Sequence, residues 1–429
     1  MSSSPSKATV ALVGTCDTKL EELLFLRTQI AHHGVDVMLL DVGREPVQHE
    51  AITITQQDLL VQHAPGVSTA EMPRADVIRT MSECATKAVK DLHSAHRIHG
   101  IIAAGGSGGS SLAAAVMREA VPIGFPKLIV STIASGDTGP LIGETDISMM
   151  YSVVDVAGLN QVLRDILSNA GASIAAAAKV YAERLAQPAE EGSAPRKRIG
   201  ITMFGVTTPG VDAARRYLES TYPGAVEVYI FHATGHGGKA MERLVREGRL
   251  DGVLDFTTTE ICDLITGGNM SAGPHRLEAA AEAGIPYVLS LGATDMSNFG
   301  PMSTVPSRYR EEQKRLLYEH NPVVTLMRTS VEEAKQIAEH ICNKLRTHAK
   351  DPGQIEVWLP TGGVSMISTP GGPFENAEAD KALFSGVVDG LKGSGISVVE
   401  NKKDINDAEF AEDIAKELAR RSGLQSRTG

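Results

Sequence analysis

Gly105, Gly106, Ser107, Gly108 and Gly109 open the run GGSGGSS, Gly105 to Ser111, which has the chemistry of an anion cradle. Glycines let the backbone come close to a phosphate and take positive φ, and a helix start offers unpaired N–H groups carrying about half a positive charge. Ser107, Ser110 and Ser111 add hydroxyl donors. A flexible turn with a serine cap is the competing reading, and four glycines at one junction favour the anion. No GKS or GKT follows, so this is not a Walker A loop. The GxGxxG pattern is also incomplete, with Ser111 in its last place, which weakens an NAD-dependent oxidoreductase as an alternative.

A second cluster, Gly14-Thr15-Cys16-Asp17-Thr18-Lys19, ends an apolar run. Thr18 and Lys19 suit phosphate oxygens, while Asp17 as a helix cap and Lys19 in solvent is an equally good account. Asp41 falls where open α/β domains place a carboxylate for ribose hydroxyls, or it forms the loop. Further along, His232 and His236 stand four apart in HATGHGG. The Thr-Gly pair between them argues for a loop and against a metal pair, so no metal ligands are assigned. Asp255, Glu260 and Asp263 follow a strand end and fit a general base or magnesium ligands as well as they fit capping by Thr259. Another glycine-rich turn is LPTGGVS, Leu359 to Ser365.

These groups require strand ends to hold them, and the sequence supplies strands. Ala8 to Gly14, Val35 to Val42, Ile98 to Ala104 and Pro126 to Thr132 are short apolar runs. Helical spacing over Lys19 to His32, Ala75 to His93 and Leu112 to Glu119 separates them. The alternation restarts at Arg198 and continues through strands at Val226 to Phe231, Gly252 to Phe256, Tyr287 to Leu291, Val323 to Met327 and Ile355 to Leu359. The fold class is therefore α/β, as two Rossmann-like, doubly wound parallel-sheet domains. Residues 1–185 form the nucleotide domain, 186–198 a polar linker and 199–429 a second domain for a substrate or partner.

Composition narrows the function. A net charge of −11 argues against broad nucleic-acid binding, although one cleft can still be locally positive. Four scattered cysteines without CxxC spacing point to free thiols in a reducing compartment. No apolar stretch approaches the roughly 20 residues of a membrane span, and Met1 to Lys7 does not read as a signal. A cytoplasmic location is expected.

Along almost its whole length the chain resembles the uncharacterised protein family that contains the ATP-binding inhibitory domain of the tomato mosaic virus resistance protein. The matching stretches include GTCDTKLEEL, GGSGGSS, STIASGDTGPLIGETD, YSVVDVAGLN, FHATGHGGKAME, LDFTTTE, SAGPHRLEAA and LPTGGVS. The resemblance implies a homodimer with ATP and Mg2+ bound in the amino-terminal domain. It implies nucleotide contacts from Asp17, Thr18, Lys19, Val42, Gly43, Gly105, Gly106, Ser107, Gly108 and Gly109. The family's arginine falls on Arg74, where Arg74-Ala75 departs from the usual Arg-Gly and Arg79 competes. The expected function is ATP binding with a ligand cleft between the two domains, as in a nucleotide-dependent enzyme. The catalytic candidates are Asp255, Glu260, His232 and His236. The alternative is a regulatory module in which ATP stabilises a dimer that grips another protein.

Overall fold

The structure is a computed structural model that describes residues 7–187 and 196–425. Most of the expected linker, 186–198, lies outside those residues. The chain divides into two compact units, residues 1–192 and 193–429, each with its own sheet and core.

In the first unit the strands are β1 (Thr9–Gly14), β2 (Asp36–Asp41), β3 (Ile52–Ile54), β4 (Gly100–Gly105), β5 (Lys127–Ser131) and β6 (Ser148–Tyr151). They lie side by side in the order β3-β2-β1-β4-β5-β6, every neighbouring pair parallel. The helices are α1 (Cys16–His32), α2 (Gln56–His63), α3 (Arg74–Ser94), α4 (Ser107–Ala120), the single turn α5 (Gly139–Ile142) and α6 (Gln161–Ala186). Leu23, Leu26 and Ile30 of α1 join Leu163, Leu167 and Ile174 of α6 over one face of the sheet. Val77, Met81 and Val89 of α3 join Leu112, Val116 and Met117 of α4 over the other. These repeats of three and four residues are what bury one stripe of each helix. Both faces are covered, so β1 and β4 are apolar along their length, as parallel strands between helices must be.

The second unit contains β7 (Lys197–Met203), β8 (Val226–His232), β9 (Gly252–Thr257), β10 (Tyr287–Gly292), β11 (Met296–Phe299), β12 (Leu317–Asn321), β13 (Val324–Arg328), β14 (Ile355–Pro360) and β15 (Ser397–Asn401). Its helices are α7 (Thr208–Thr221), α8 (His236–Arg246), α9 (Glu260–Thr266), α10 (Ala279–Ala283), α11 (Val331–His348), α12 (Ala377–Leu391) and α13 (Ala408–Arg421). Six strands make a parallel sheet in the order β15-β14-β10-β9-β7-β8. The chain is thus a pair of Rossmann-like α/β units. No helix among the described residues is long and apolar enough to cross a membrane. All four cysteines are buried free thiols.

Three expectations need correction. The strand expected at Val323 to Met327 is β13, and it belongs to a separate antiparallel sheet, β11-β13-β12, rather than to the parallel one. Its apolar run does not distinguish a buried parallel strand from one paired antiparallel along both edges, here by β11 and β12. The helix expected from Leu112 starts at Ser107, so Gly108 and Gly109 are helical and not part of a loop. None of Gly105, Gly106, Gly108 and Gly109 has a positive φ. Whatever these glycines provide, it is not left-handed backbone.

Gly171 shows how tightly the first unit is packed. A Cβ there would lie 2.9 Å from Gln29 Cβ, so α6 can rest on α1 only with a hydrogen at that position. Gly171→Val should destabilise the first unit by about 1–3 kcal/mol, the usual cost of overpacking. Urea denaturation followed by circular dichroism should show a lower midpoint with an unchanged slope; an unchanged midpoint would contradict this packing.

Candidate functional site

β1 and β4 are neighbours, but the chain leaves β1 towards β2 and leaves β4 towards β5. The crevice at the carboxyl ends of two such strands is where doubly wound sheets take ligands. A cavity of about 460 Å3 lies there, within the usual range for small-molecule sites. The structure brings Asp17, Thr18, Lys19, Val42, Arg74, Gly105, Gly106, Ser107, Gly108 and Gly109 together in its walls. Thr15, Arg44 and Asp155 also line it, and Val77, Ile78 and Leu112 supply an apolar side.

The floor is the start of α4. The first N–H groups of a helix have no partner within it, and the cap residue here is Gly106, which has no side chain to offer. Ser110, expected among the donors, is turned inward, with its hydroxyl 2.6 Å from that of Ser131. A Cβ on Gly109 would meet nothing within 4 Å. A Cβ on Gly108 would approach Arg74 Nη2 at 3.2 Å, so the Arg74 guanidinium lies over this turn. Arg79, the competing arginine, is instead paired with Asp76 at 2.6 Å.

The start of α1 is already engaged. Asp41, wholly buried, accepts hydrogen bonds from the N–H of Cys16 at 3.0 Å and of Gly43 at 2.9 Å. Burial raises its pKa above the usual carboxylate value. It is a loop-forming residue and does not face the cavity. Burial together with Asp41 also pushes the Cys16 thiol upwards, away from reactivity. Asp17 uses Oδ2 to accept from the N–H of Arg44 at 2.8 Å and of Glu45 at 3.2 Å. Gly43 does not line the cavity. It is needed because a Cβ there would press to 2.7 Å against Asp17 Oδ1, and Arg44 takes its expected place in the wall. The Arg44 guanidinium donates to the carbonyls of Met72 at 2.8 Å and Ala70 at 3.1 Å, which ties the approach to α3 to the rim.

The second unit treats its catalytic candidates differently. Asp255 and Glu260 are 0% and 1% exposed. Arg276, itself 1% exposed, donates to both oxygens of Asp255 at 2.5 Å and through Nε to Glu260 at 2.8 Å. Thr202 and Tyr287 also donate to Asp255. Glu260 Oε1 accepts from the N–H of Gly235 at 2.7 Å and of Gly238 at 3.1 Å, so it occupies the start of α8. The glycines of HATGHGG therefore cradle the protein's own carboxylate. A Cβ on Gly238 would fall 1.9 Å from Glu260 Oε2. Asp263 is also interior, accepting from the N–H of Asn298 and Met270, and burial raises its pKa to about 7. Both carboxylate candidates thus point into the fold and not at a substrate. His232 ends β8 and His236 begins α8, both exposed, and they form no ligand set together. The one group with metal-ligand spacing among the described residues is Glu278, Glu282 and His348, where Lys344 already pairs with Glu278.

Arg276 and Asp155 were not singled out from the sequence. Arg276 had no local signal, being one charge beside an alanine-rich helix whose partners lie 16 to 34 residues away. Asp155 sits in the stretch YSVVDVAGLN, which contributed to the resemblance but carries no spacing that points to a ligand.

Comparison with known proteins matches residues 8–183 to the N-terminal domain and 196–422 to the C-terminal domain of an uncharacterised protein family, UPF0261. A UPF0261 protein of Clostridium tetani is 43% identical over 95% of this chain and 98% of its own length. One from Mesorhizobium japonicum is 42% identical over 95% and 97%. The ToMV resistance protein Tm-1 of Solanum lycopersicum is 38% identical over 94% of this chain, which spans 54% of that longer protein. Among solved structures, a UDP-N-acetylglucosamine 2-epimerase covers 97% of both chains at 12% identity and a TM-score of 0.19. MurG of Acinetobacter baumannii covers 97% of this chain and 96% of its own at 10% identity and a TM-score of 0.21. Likenesses of that size carry no functional argument.

Two outcomes test the interior of the second unit, and Trp358, the one tryptophan, reports on it by fluorescence. Arg276→Met leaves Asp255 and Glu260 buried without their cation and should cost about 3–5 kcal/mol of stability. A loss below about 1 kcal/mol would mean that Arg276 does not hold this cluster together. Asp263 has a folded pKa above its ordinary value of 3.8, so the fold favours its protonated form. Its contribution should fall as pH rises from about 4 to about 7 and stay level above that. The difference in unfolding free energy between wild type and Asp263→Asn should follow this course in urea titrations; a pH-independent difference would refute it.

Proposed function

This chain belongs to the uncharacterised protein family UPF0261, and on that premise we propose that its first unit binds a nucleotide polyphosphate, ATP, at the start of α4. The supporting observation is Gly109. Its φ is ordinary and a Cβ there would meet no protein atom within 4 Å, so neither backbone geometry nor packing of a Cβ calls for glycine. Closeness to a ligand does. The N–H groups of Ser107, Gly108 and Gly109 would grip phosphate oxygens. Lys19 and Arg74 would supply charge, Arg74 through a planar fork suited to two oxygens at once. Val42, Val77, Ile78 and Leu112 give the apolar wall that a base would lie against. The walls hold three cations, Lys19, Arg44 and Arg74, against two carboxylates, Asp17 and Asp155, a locally positive place in an acidic chain. Mg2+ would be carried mainly on the phosphates, because Asp17 is held to backbone through Oδ2 with Oδ1 buried, which leaves no pair of open carboxylates in the wall to hold the ion.

A non-catalytic regulatory role is the second reading, favoured by one observation: Asp255 and Glu260 are interior, and Glu260 fills the anion-binding turn of its own unit. ATP would then act by being held. The Rossmann-type order of the first unit does not by itself select NAD, since its usual ribose acceptor, Asp41, is turned inward.

Isothermal titration should show ATP binding to the wild type. Lys19→Ala should weaken it by about tenfold or more, about 1.4 kcal/mol. Gly109→Ala should weaken it at least as much without lowering the thermal midpoint, because the added Cβ meets no protein atom within 4 Å. Wild-type affinity in both variants would remove this site.

A further inference from the structure

We infer that Asp155 accepts a hydrogen bond from a sugar hydroxyl of the bound ligand, so that the site selects a ribonucleotide over a deoxynucleotide or a bare polyphosphate. The inference rests on the nucleotide reading above and assigns a residue that the sequence did not mark. Asp155 follows β6 and lines the cavity from its rim. Of the two carboxylates in the wall, Asp17 is bound to the backbone of Arg44 and Glu45, while Asp155 has no hydrogen bond or ion pair among the described residues. A free carboxylate beside a phosphate site repels the anion unless something on the ligand satisfies it. In domains with this strand order that partner is the ribose, met by a carboxylate at the end of the second strand. Here that residue, Asp41, is wholly buried and bonded to backbone. Asp17 Oδ1 is buried beneath Gly43, so among the described residues Asp155 is the exposed carboxylate of the wall that no protein group engages.

The backbone beside it is held in an unusual form. Val153, β-branched and 59% exposed, has φ +62°. The N–H of Val154 bonds back to the carbonyl of Ser152 at 2.6 Å, and the buried Ser152 hydroxyl donates to the carbonyl of Val154 at 2.6 Å. Downstream, Val156 is fully buried and the N–H of Gly158 donates to Glu22 of α1 at 2.6 Å. The segment carrying Asp155 is therefore anchored at both ends, with a strained residue between the sheet and the carboxylate. Such strain persists where the surroundings impose it, commonly beside ligands.

The test is isothermal titration of ATP, 2′-deoxy-ATP, 3′-deoxy-ATP and inorganic tripolyphosphate against wild type, Asp155→Ala and Asp155→Asn, with Mg2+ and again with EDTA. Wild type should prefer ATP to at least one deoxy analogue by about tenfold, the worth of one charge-assisted hydrogen bond. Asp155→Ala should reduce that preference to less than about threefold, and Asp155→Asn, which keeps an acceptor, should retain part of it. Tripolyphosphate should bind Asp155→Ala as well as or better than wild type. An unchanged sugar preference in Asp155→Ala overturns the inference, as does a common shift for ATP and tripolyphosphate, or a preference present only with Mg2+. Wild type that binds ATP and tripolyphosphate but ignores the sugar overturns it while sparing the phosphate site. Wild type that binds neither removes the nucleotide reading and this inference together.

Discussion

A helix that begins at the end of a buried strand leaves peptide hydrogens and partial positive charge facing into a fold, and something must answer them. The described residues answer them in three ways. At α1, Asp41 reaches up from the neighbouring strand and takes the N–H of Cys16. At α8, Glu260 enters from the first residue of α9, just after β9, and is balanced by Arg276. At α4 the cap is a glycine and the residues after it are small. Two of these ends are closed by the chain's own carboxylates and one is left to a cavity. That difference separates a turn filled by the chain's own carboxylate from one that opens on a cavity, where the sequences look alike.

The parallel sheets fix where this contrast is expressed. β1 is flanked by β2 and β4, so two helix starts flank the crevice at their ends. Asp17 then ties the turn after β2 to the top of α1, and Arg44 ties the approach to α3 to the same turn. The rim is therefore built from backbone bonds between segments far apart in sequence. In the second unit Thr202, Thr207 and Thr257 satisfy one another across the equivalent strand ends. Those strand ends carry hydroxyls that are packed inside the fold.

Much of this architecture was legible in the residues. Short apolar runs and helical repeats gave both parallel sheets, because helix-covered strands need unbroken apolar side chains. The cavity wall was legible from glycines and Lys19 at strand ends. What was not legible depended on contacts across the fold. β3, β6 and β15 are edge strands of three to five residues, partly exposed, with too little pattern to stand out. β13 has the same apolar look as a central strand, and only its antiparallel partners separate it. Asp255 and Glu260 resembled catalytic carboxylates because nothing local announced Arg276. Gly43 was expected as a nucleotide contact from the resemblance alone, and nothing local announced that Asp17 would lean on it.

The contact between Gly238 and Glu260 also limits how the two halves could diverge. To give α8 a phosphate in place of Glu260, the carboxylate would have to go, and its loss would leave Arg276 with part of its charge unanswered in a dry interior. A compensating change at Arg276 would in turn release Asp255. A gain of function there thus requires several coordinated replacements, each harmful alone. At α4 a single residue such as Gly109 can gain a Cβ that meets no protein atom, so the cavity lining can change without disturbing the scaffold. Replacements should therefore be tolerated more readily in the lining of the first unit's cavity than in the charge cluster of the second.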